Sequence, residues 1–261
     1  MKVVSIHIYP IKSLGGISLQ SAKVLGRGLE YDRRWVLIDK KGMFQSQRTF
    51  PNMALFSISI TQESLRVKAP DDSVLSIPFK PEGEKRIVKI WNDEVRGVEV
   101  SPQISSWFSK RLGKEVYLVK MTEETNRLID VRYASNAETV SFADGYPLLL
   151  ANTASVDDLN EKLVNPVEVD RFRPNIVVEG HRPFEEEVWK QLTIGAAQIE
   201  VVKKCARCVV VNIDPQTAVK GKEVLQSLSN YRKTGNKVHF GVNALVHKEG
   251  VIKVGDRLGL N

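Results

Sequence analysis

Short runs of alternating apolar and polar residues recur through the first half of the chain, each closed by turn formers. They fall at residues 3–8, 33–39, 55–60, 64–68, 74–78, 86–90 and 94–100. A period of two marks strands with one buried face, and the even spacing predicts a small barrel or sandwich. Pro102 then opens a segment, 103–112, in which Ile104, Trp107, Phe108 and Leu112 recur at helical spacing. A polar, charged stretch from Thr122 to Glu138 reads as a connection between two halves. After it come the apolar run Pro147-Leu148-Leu149-Leu150 and a capped helix over 153–163 with Val156, Leu159 and Leu163 on one stripe. Strands are predicted at 174–178, 192–202, 208–213 and 237–246, a helix at about 222–232 and a last strand pair near 251–260. The pattern therefore predicts a strand-rich α+β protein in two halves, residues 1–121 and 122–261, each barrel-like and flanked by a few helices.

Composition narrows the class. The 261 residues are 42% hydrophobic and 26% charged, as expected of a globular protein with ample chain for a core. No run of about 18 apolar residues occurs, so no membrane span is predicted. The opening residues alternate like a strand, unlike a signal peptide. Two cysteines form no disulfide framework, which makes a reducing cytoplasm the expected compartment. A formal charge of +7 points to an anionic partner. The basic residues are dispersed and carry no nucleic-acid-binding motif, so nucleic acid is not the expected one.

Nucleotide motifs are absent. Gly26-Arg27-Gly28 lacks a third glycine, position 31 being Tyr31, and there is no Walker loop, His-Glu-x-x-His helix or calcium loop. The cysteines stand three apart as Cys205-Ala206-Arg207-Cys208, beside Lys203 and Lys204. Such a pair serves redox motifs, zinc sites and plain cores alike. The β-branched run behind it predicts a buried strand, whereas thioredoxin-like pairs open a helix. Zinc would need further ligands, and His7, His181, His239 and His247 stand at no zinc-finger spacing. If the strand reaches back to Cys205, alternation sends the two sulfurs to opposite faces, so that only one can face a site.

Polar clusters at strand ends complete the set: Tyr9-Pro10-Ile11-Lys12-Ser13, Asp32-Arg33-Arg34-Trp35 and Asp170-Arg171-Phe172-Arg173-Pro174-Asn175. Lysine offers a point charge, arginine a planar fork of donors and serine a hydroxyl, all apt for anions. In their order along the chain, and together with Asp214-Pro215, Tyr231-Arg232 and Ile252-Lys253-Val254-Gly255-Asp256, they resemble the molybdenum-cofactor sulfurase C-terminal (MOSC) superfamily. The resemblance spans nearly the whole chain. It is nearest to the two-domain members related to the mitochondrial amidoxime-reducing component and the bacterial hydroxylaminopurine-detoxifying proteins.

That resemblance implies a pyranopterin molybdenum cofactor in a cleft between the halves, with Cys208 as the metal's protein thiolate. It implies Lys12, Ser13 and Arg33 around the cofactor phosphate and Arg173 and Asn175 against the pterin. Ala206, through its backbone, and Arg207 would line the site beside the metal, with Asp144 as a nearby acid. It also implies reduction of small N-hydroxylated substrates, with electrons from a separate donor such as a ferredoxin, a flavodoxin or a cytochrome b5-like chain. No internal iron–sulfur cluster, flavin or haem is expected, nor a need for pyridoxal phosphate, because one cysteine remains once Cys208 is used. The chain opens on its first strand without the anchoring segment of the eukaryotic members, so a soluble bacterial or archaeal form, with no membrane partner, is expected. The alternative is a carrier of the cofactor or of persulfide sulfur on Cys208 or Cys205.

Overall fold

A computed structural model describes residues 1–134 and 136–260. The strand-rich α+β class is as expected. The largest sheet has nine strands, in the order Leu258–Leu260, Gln191–Ile194, Ala197–Arg207, Lys237–Lys248, Leu148–Asn152, Ile176–Val178, Val3–Ile8 and Ile17–Leu19, with Lys233–Thr234 pairing Lys237–Lys248. A four-stranded sheet runs Trp35–Ile38, Tyr117–Lys120, Asp93–Glu99, Lys85–Ile90. Two three-stranded sheets complete the set, one joining Gly250–Lys253 to Ser21–Leu25 and Gly28–Leu29, the other built from Ser57–Ile60, Ser64–Lys68 and Val74–Pro78. All four follow open orders; among the described residues none closes into a ring.

The chain's opening strand lies beside Ile176–Val178, and Gly250–Lys253 returns to pair with Ser21–Leu25, so early and late segments share sheets. This weaving places the turn after Val3–Ile8 directly against the turn before Ile176–Val178. Val3, Ile6, Leu150, Ile176 and Val242 fill the core of the large sheet, and Trp35, Phe56, Phe108 and Leu118 that of the first-half sheets.

Among the described residues, three α-helices flank the sheets. Helix α1, Pro102–Leu112, starts where the Ser101 hydroxyl accepts from the Ile104 N–H and ends at Gly113 with φ of 63°. Helix α2, Thr153–Asn160, is capped by Asn152 and bridges the parallel strands Leu148–Asn152 and Ile176–Val178. Helix α3, Glu223–Arg232, packs Val224 and Leu228 against Val211. No helix among the described residues is long and apolar enough to cross a membrane.

Three expected elements differ. The strand expected over 192–202 is a hairpin, Gln191–Ile194 with Ala197–Arg207, turning at Gly195 with φ of 53°; a Cβ there would meet the Val251 carbonyl at 2.5 Å. The strand expected over 208–213 is a 3-10 turn, Val209–Asn212. Its β-branched composition yields to packing, because Val211 is buried while Val209 is 52% exposed, a pattern that a half-buried strand would not produce. The polar stretch 122–138 does not simply hang in solvent: Thr125, Arg127, Ile129 and Ala134 are buried.

Candidate functional site

The candidate chemistry gathers at the ends of the large sheet, in a cleft of about 840 Å³ counting the solvent at its mouth. Lys12, Ser13, Arg33, Asp144, Arg173, Asn175, Arg207 and Cys208 all line it. Of the residues that the family resemblance assigns to the site, Ala206 does not; it lies exposed on the strand, opposite His239.

Both cysteines line the cleft, which overturns the expectation of opposite faces. Strict alternation fails because the strand Ala197–Arg207 has a register shift between Lys204 and Ala206 and ends before Cys208, where the chain turns. Each sulfur has its own guanidinium. Arg207 Nη1 donates to Cys205 Sγ at 3.0 Å, and Arg48 Nη2 donates to Cys208 Sγ at 3.3 Å. Arg207 Nη2 also donates to the Phe172 carbonyl at 2.8 Å, while its Nε is buried with no partner.

The cationic wall is built from turns in a rare conformation. Ser13, Arg33 and Arg173 have φ of 71°, 50° and 54°, the left-handed region that non-glycine residues seldom occupy. Such strain costs about 1–3 kcal/mol per residue and collects at functional sites. Dense packing holds it. The Arg33 N–H donates to the Tyr9 carbonyl, its guanidinium to both oxygens of buried Asp32, and Nη2 to the Arg173 carbonyl at 3.1 Å. Tyr9 lies between the guanidinium groups of Arg33 and Arg173, at 4.3 and 4.1 Å from its ring centre. Burial pushes the Tyr9 hydroxyl up to about 12 and Arg173 down to about 10. Asn175 is almost fully engaged in the frame: its amide bonds the His7 carbonyl and the Leu149 N–H, tying two strands together.

Lys12 is 6% exposed, and its Nζ donates to Asp144 Oδ1 at 2.6 Å. Burial lowers its proton affinity and Asp144 opposes that shift. For Asp144, loss of water pushes upward, but the charge and hydrogen bond of Lys12, with Arg48 and Arg33 nearby, outweigh it and hold the carboxyl well below the usual carboxylate range. The Asp144 loop is fixed from behind by Arg127, which donates to the Ser141, Ala143 and Asp144 carbonyls and to Asp93.

Sequence reasoning missed Arg48 and Arg127. Arg48 lies in the unremarkable run Gln45-Ser46-Gln47-Arg48, stacked on Trp91 at 4.4 Å. Arg127 lies in the stretch taken for a connection. No periodicity or motif marks either one.

The lining thus carries five cations, Lys12, Arg33, Arg48, Arg173 and Arg207, against one carboxylate, Asp144, together with the thiols of Cys205 and Cys208. That balance suits a multiply charged anion. Among the described residues no group of three or more His, Cys, Asp or Glu side chains converges as a metal cage. A metal beside Cys208 would thus take most of its ligands from a bound molecule, and a thiolate is the soft donor suited to a transition metal. The residues present fit an anionic, metal-bearing cofactor.

Fold and cleft together define a class, woven α+β proteins with cysteine thiols in an anion-binding cleft. The chain belongs to the MOSC family: the MOSC N-terminal beta barrel domain matches residues 1–115 and the MOSC domain residues 137–259. It is 31% identical over 274 residues to mitochondrial amidoxime reducing component 2 of Homo sapiens, covering 97% of this chain and 82% of that protein. Mitochondrial amidoxime-reducing component 1 of Mus musculus is 28% identical over 274 residues, covering 97% and 80%. The molybdenum cofactor sulfurase of Danio rerio is 30% identical over 261 residues, covering 91% of this chain but 31% of that protein.

Proposed function

We propose that this protein binds the molybdenum cofactor in its cleft and reduces small N-hydroxylated compounds, with electrons from a separate donor protein. The observation that carries the proposal is the meeting of Cys208 with Lys12, Arg33 and Arg173 in one cleft. The names of the amidoxime-reducing relatives, which align over most of their length, support the chemistry. On this reading the cleft lies between halves 1–121 and 122–261, and the protein works in the cytoplasm.

Lys12, Ser13 and Arg33 would hold the phosphate, and Arg173, beside Asn175, the pterin. Arg207 stands against the Cys205 sulfur and has an unpaired buried N–H to offer. Cys208 would supply the thiolate ligand. The bound cofactor supplies the two-electron redox chemistry that removes oxygen from an N–OH group. The chain's own work is to orient, to charge and to exclude water. Arg48 fixes the Cys208 sulfur, and Arg127 fixes the loop that carries Asp144. Held ionised by Lys12, Asp144 accepts hydrogen bonds and has no proton to donate.

The test is elemental analysis and turnover of protein made in a host with intact cofactor synthesis. Near-stoichiometric molybdenum and reduction of benzamidoxime or 6-hydroxylaminopurine by reduced viologen, but not by NADH alone, are expected. Zinc alone, or molybdenum without turnover, would overturn the reductase. The opening of Cys205 onto the same cleft favours a second reading, a carrier of cofactor or persulfide sulfur. Sulfur release without steady turnover would support it.

A further inference from the structure

Lys12 differs from the other cations of the cleft in what holds it. Arg33 is bound to Asp32, a side chain 1% exposed, and Arg173 donates to the Leu14 carbonyl at 2.8 Å. Those partners belong to the frame and cannot leave without unfolding it. The partner of Lys12 is Asp144, whose side chain is 69% exposed although Lys12 itself is 8% exposed. The lysine is thus fixed and desolvated, whereas its carboxylate, crowded by protein on the cleft side, opens to solvent beside Gly145, where even an added Cβ would meet nothing within 4 Å. A second contact latches it: Trp91 Nε1 donates to the same Asp144 Oδ1 at 3.3 Å. Trp91 caps the hairpin between Lys85–Ile90 and Asp93–Glu99, is 46% exposed and has φ of 55°.

We infer that Asp144 is a built-in occupant of the phosphate subsite: it neutralises Lys12 while the cleft is empty of anion, and an arriving phosphomonoester displaces it, breaking its contact with Trp91. The inference rests on the assignment of Lys12 to a phosphate. A buried ammonium without a counter-charge is unfavourable, so a site built to bind a dianion needs a stand-in before it arrives. A carboxylate on an exposed loop fills that need. It carries one charge to the dianion's two, and so yields when a phosphate comes. Displacement also frees Asp144 from the charge that holds it ionised, so that loading the cleft changes the proton affinity of an acid at its mouth.

The test is titration of the cofactor-free protein with inorganic phosphate at constant ionic strength, followed by calorimetry and by tryptophan fluorescence, with the Trp91 emission taken as the difference between each protein and its Trp91→Phe counterpart because Trp35, Trp107 and Trp189 also emit. In the parent protein phosphate should bind and shift the Trp91 emission. Asp144→Asn, which keeps size and shape, should bind phosphate at least about fivefold more tightly, because unit charges ~4 Å apart interact by about 1 kcal/mol even in bulk water. Asp144→Ala should act likewise and show the shifted emission before any phosphate is added. Lys12→Met should abolish tight binding. Equal or weaker binding by both Asp144 variants would overturn the inference, as would binding without an emission change. Failure to bind in every variant would do the same. None of these outcomes depends on molybdenum content, which tests the proposed function separately.

Discussion

Arg48 reaches the sulfur of Cys208 from the other half of the chain, its Nη2 donating at 3.3 Å while its plane stacks on Trp91. The contact spans 160 positions, and Lys220 returns the tie by donating to the Arg48 carbonyl at 3.1 Å. The thiol is therefore held by both halves together. Hydrogen bonds to charged groups contribute about 1.5–3 kcal/mol, so on the proposed function Arg48→Met should lower the rate of hydroxylamine reduction roughly ten- to a hundredfold. Arg48→Lys should recover little, since a lysine supplies charge without the planar fork and its stacking. Steady-state assays at matched molybdenum content check this, and unchanged rates would remove Arg48 from the site.

The Tyr9 ring between Arg33 and Arg173 carries a second expectation. Removing it takes away a buried aromatic side chain and the one apolar surface on which both guanidinium groups rest. Tyr9→Ala should destabilise the fold by about 3–5 kcal/mol, the usual range for large aromatic truncations. Tyr9→Phe keeps the ring and gives up only the 3.3 Å bond to the Pro174 carbonyl, so a loss of about 1 kcal/mol is expected. Urea unfolding of both variants separates stacking from the hydroxyl. Equal losses would show that the hydroxyl, and not the ring, carries the contribution.

How far these features could be read from sequence depends on whether their causes are local. Ser101 and Pro102 announce α1, and the run from Thr153 announces α2, whose cap the structure places one residue earlier at Asn152, because capping is settled within a few residues. The hairpin at Gly195 was legible in principle, but the alternation of Leu192 and Ile194 resumes in Ile199 and Val201, and Ala196-Ala197 between them carry no strong turn signal. The segment 208–213 misled for the opposite reason: three consecutive valines favour a strand, and only contact with Val224 and Leu228 of α3 makes them a turn. Lys12, Arg33, Arg173 and Cys208 were found through their order along the chain, a pattern tied to a known family. Arg48 and Arg127 answer partners 160 and 17 positions away, Cys208 and Asp144, and no local pattern records such pairings.

Acid should weaken the Lys12–Asp144 tie in a defined window. In the folded protein Asp144 is held below its unfolded value, about 4 for an aspartate, so the unfolded chain binds more protons there. The stabilisation is therefore fully present above that value and is lost as pH falls through the folded value. With the Asp144 side chain 69% exposed, solvent screening keeps the effect modest. The melting temperature of the parent protein should exceed that of Asp144→Asn at neutral pH, and the gap should close progressively below about pH 4. A gap that widens in acid would reverse the assignment of which state holds the proton.

The two cysteines supply the sharpest comparison, because sharing a cleft does not make them equivalent. Cys208 is met by Arg48 from across the cleft, at the point where the strand ends; Cys205 is met by Arg207 from its own strand, two residues away. If Cys208 is the metal's thiolate, Cys208→Ser replaces a soft anionic donor with a hydroxyl that resists ionisation, and reduction should collapse. Cys205→Ser should be milder but not silent. Arg207 would exchange a sulfur acceptor for an oxygen, and its Nε already lacks a partner, so a several-fold loss with molybdenum retained is the expected result, within the ~0.5–3 kcal/mol typical of single substitutions. Molybdenum analysis, the electron paramagnetic resonance signal of the pentavalent metal and turnover on a hydroxylamine separate the cases. Equal losses would argue for a working dithiol in place of a single ligand, and loss confined to the Cys205 variant would move the metal to the other sulfur.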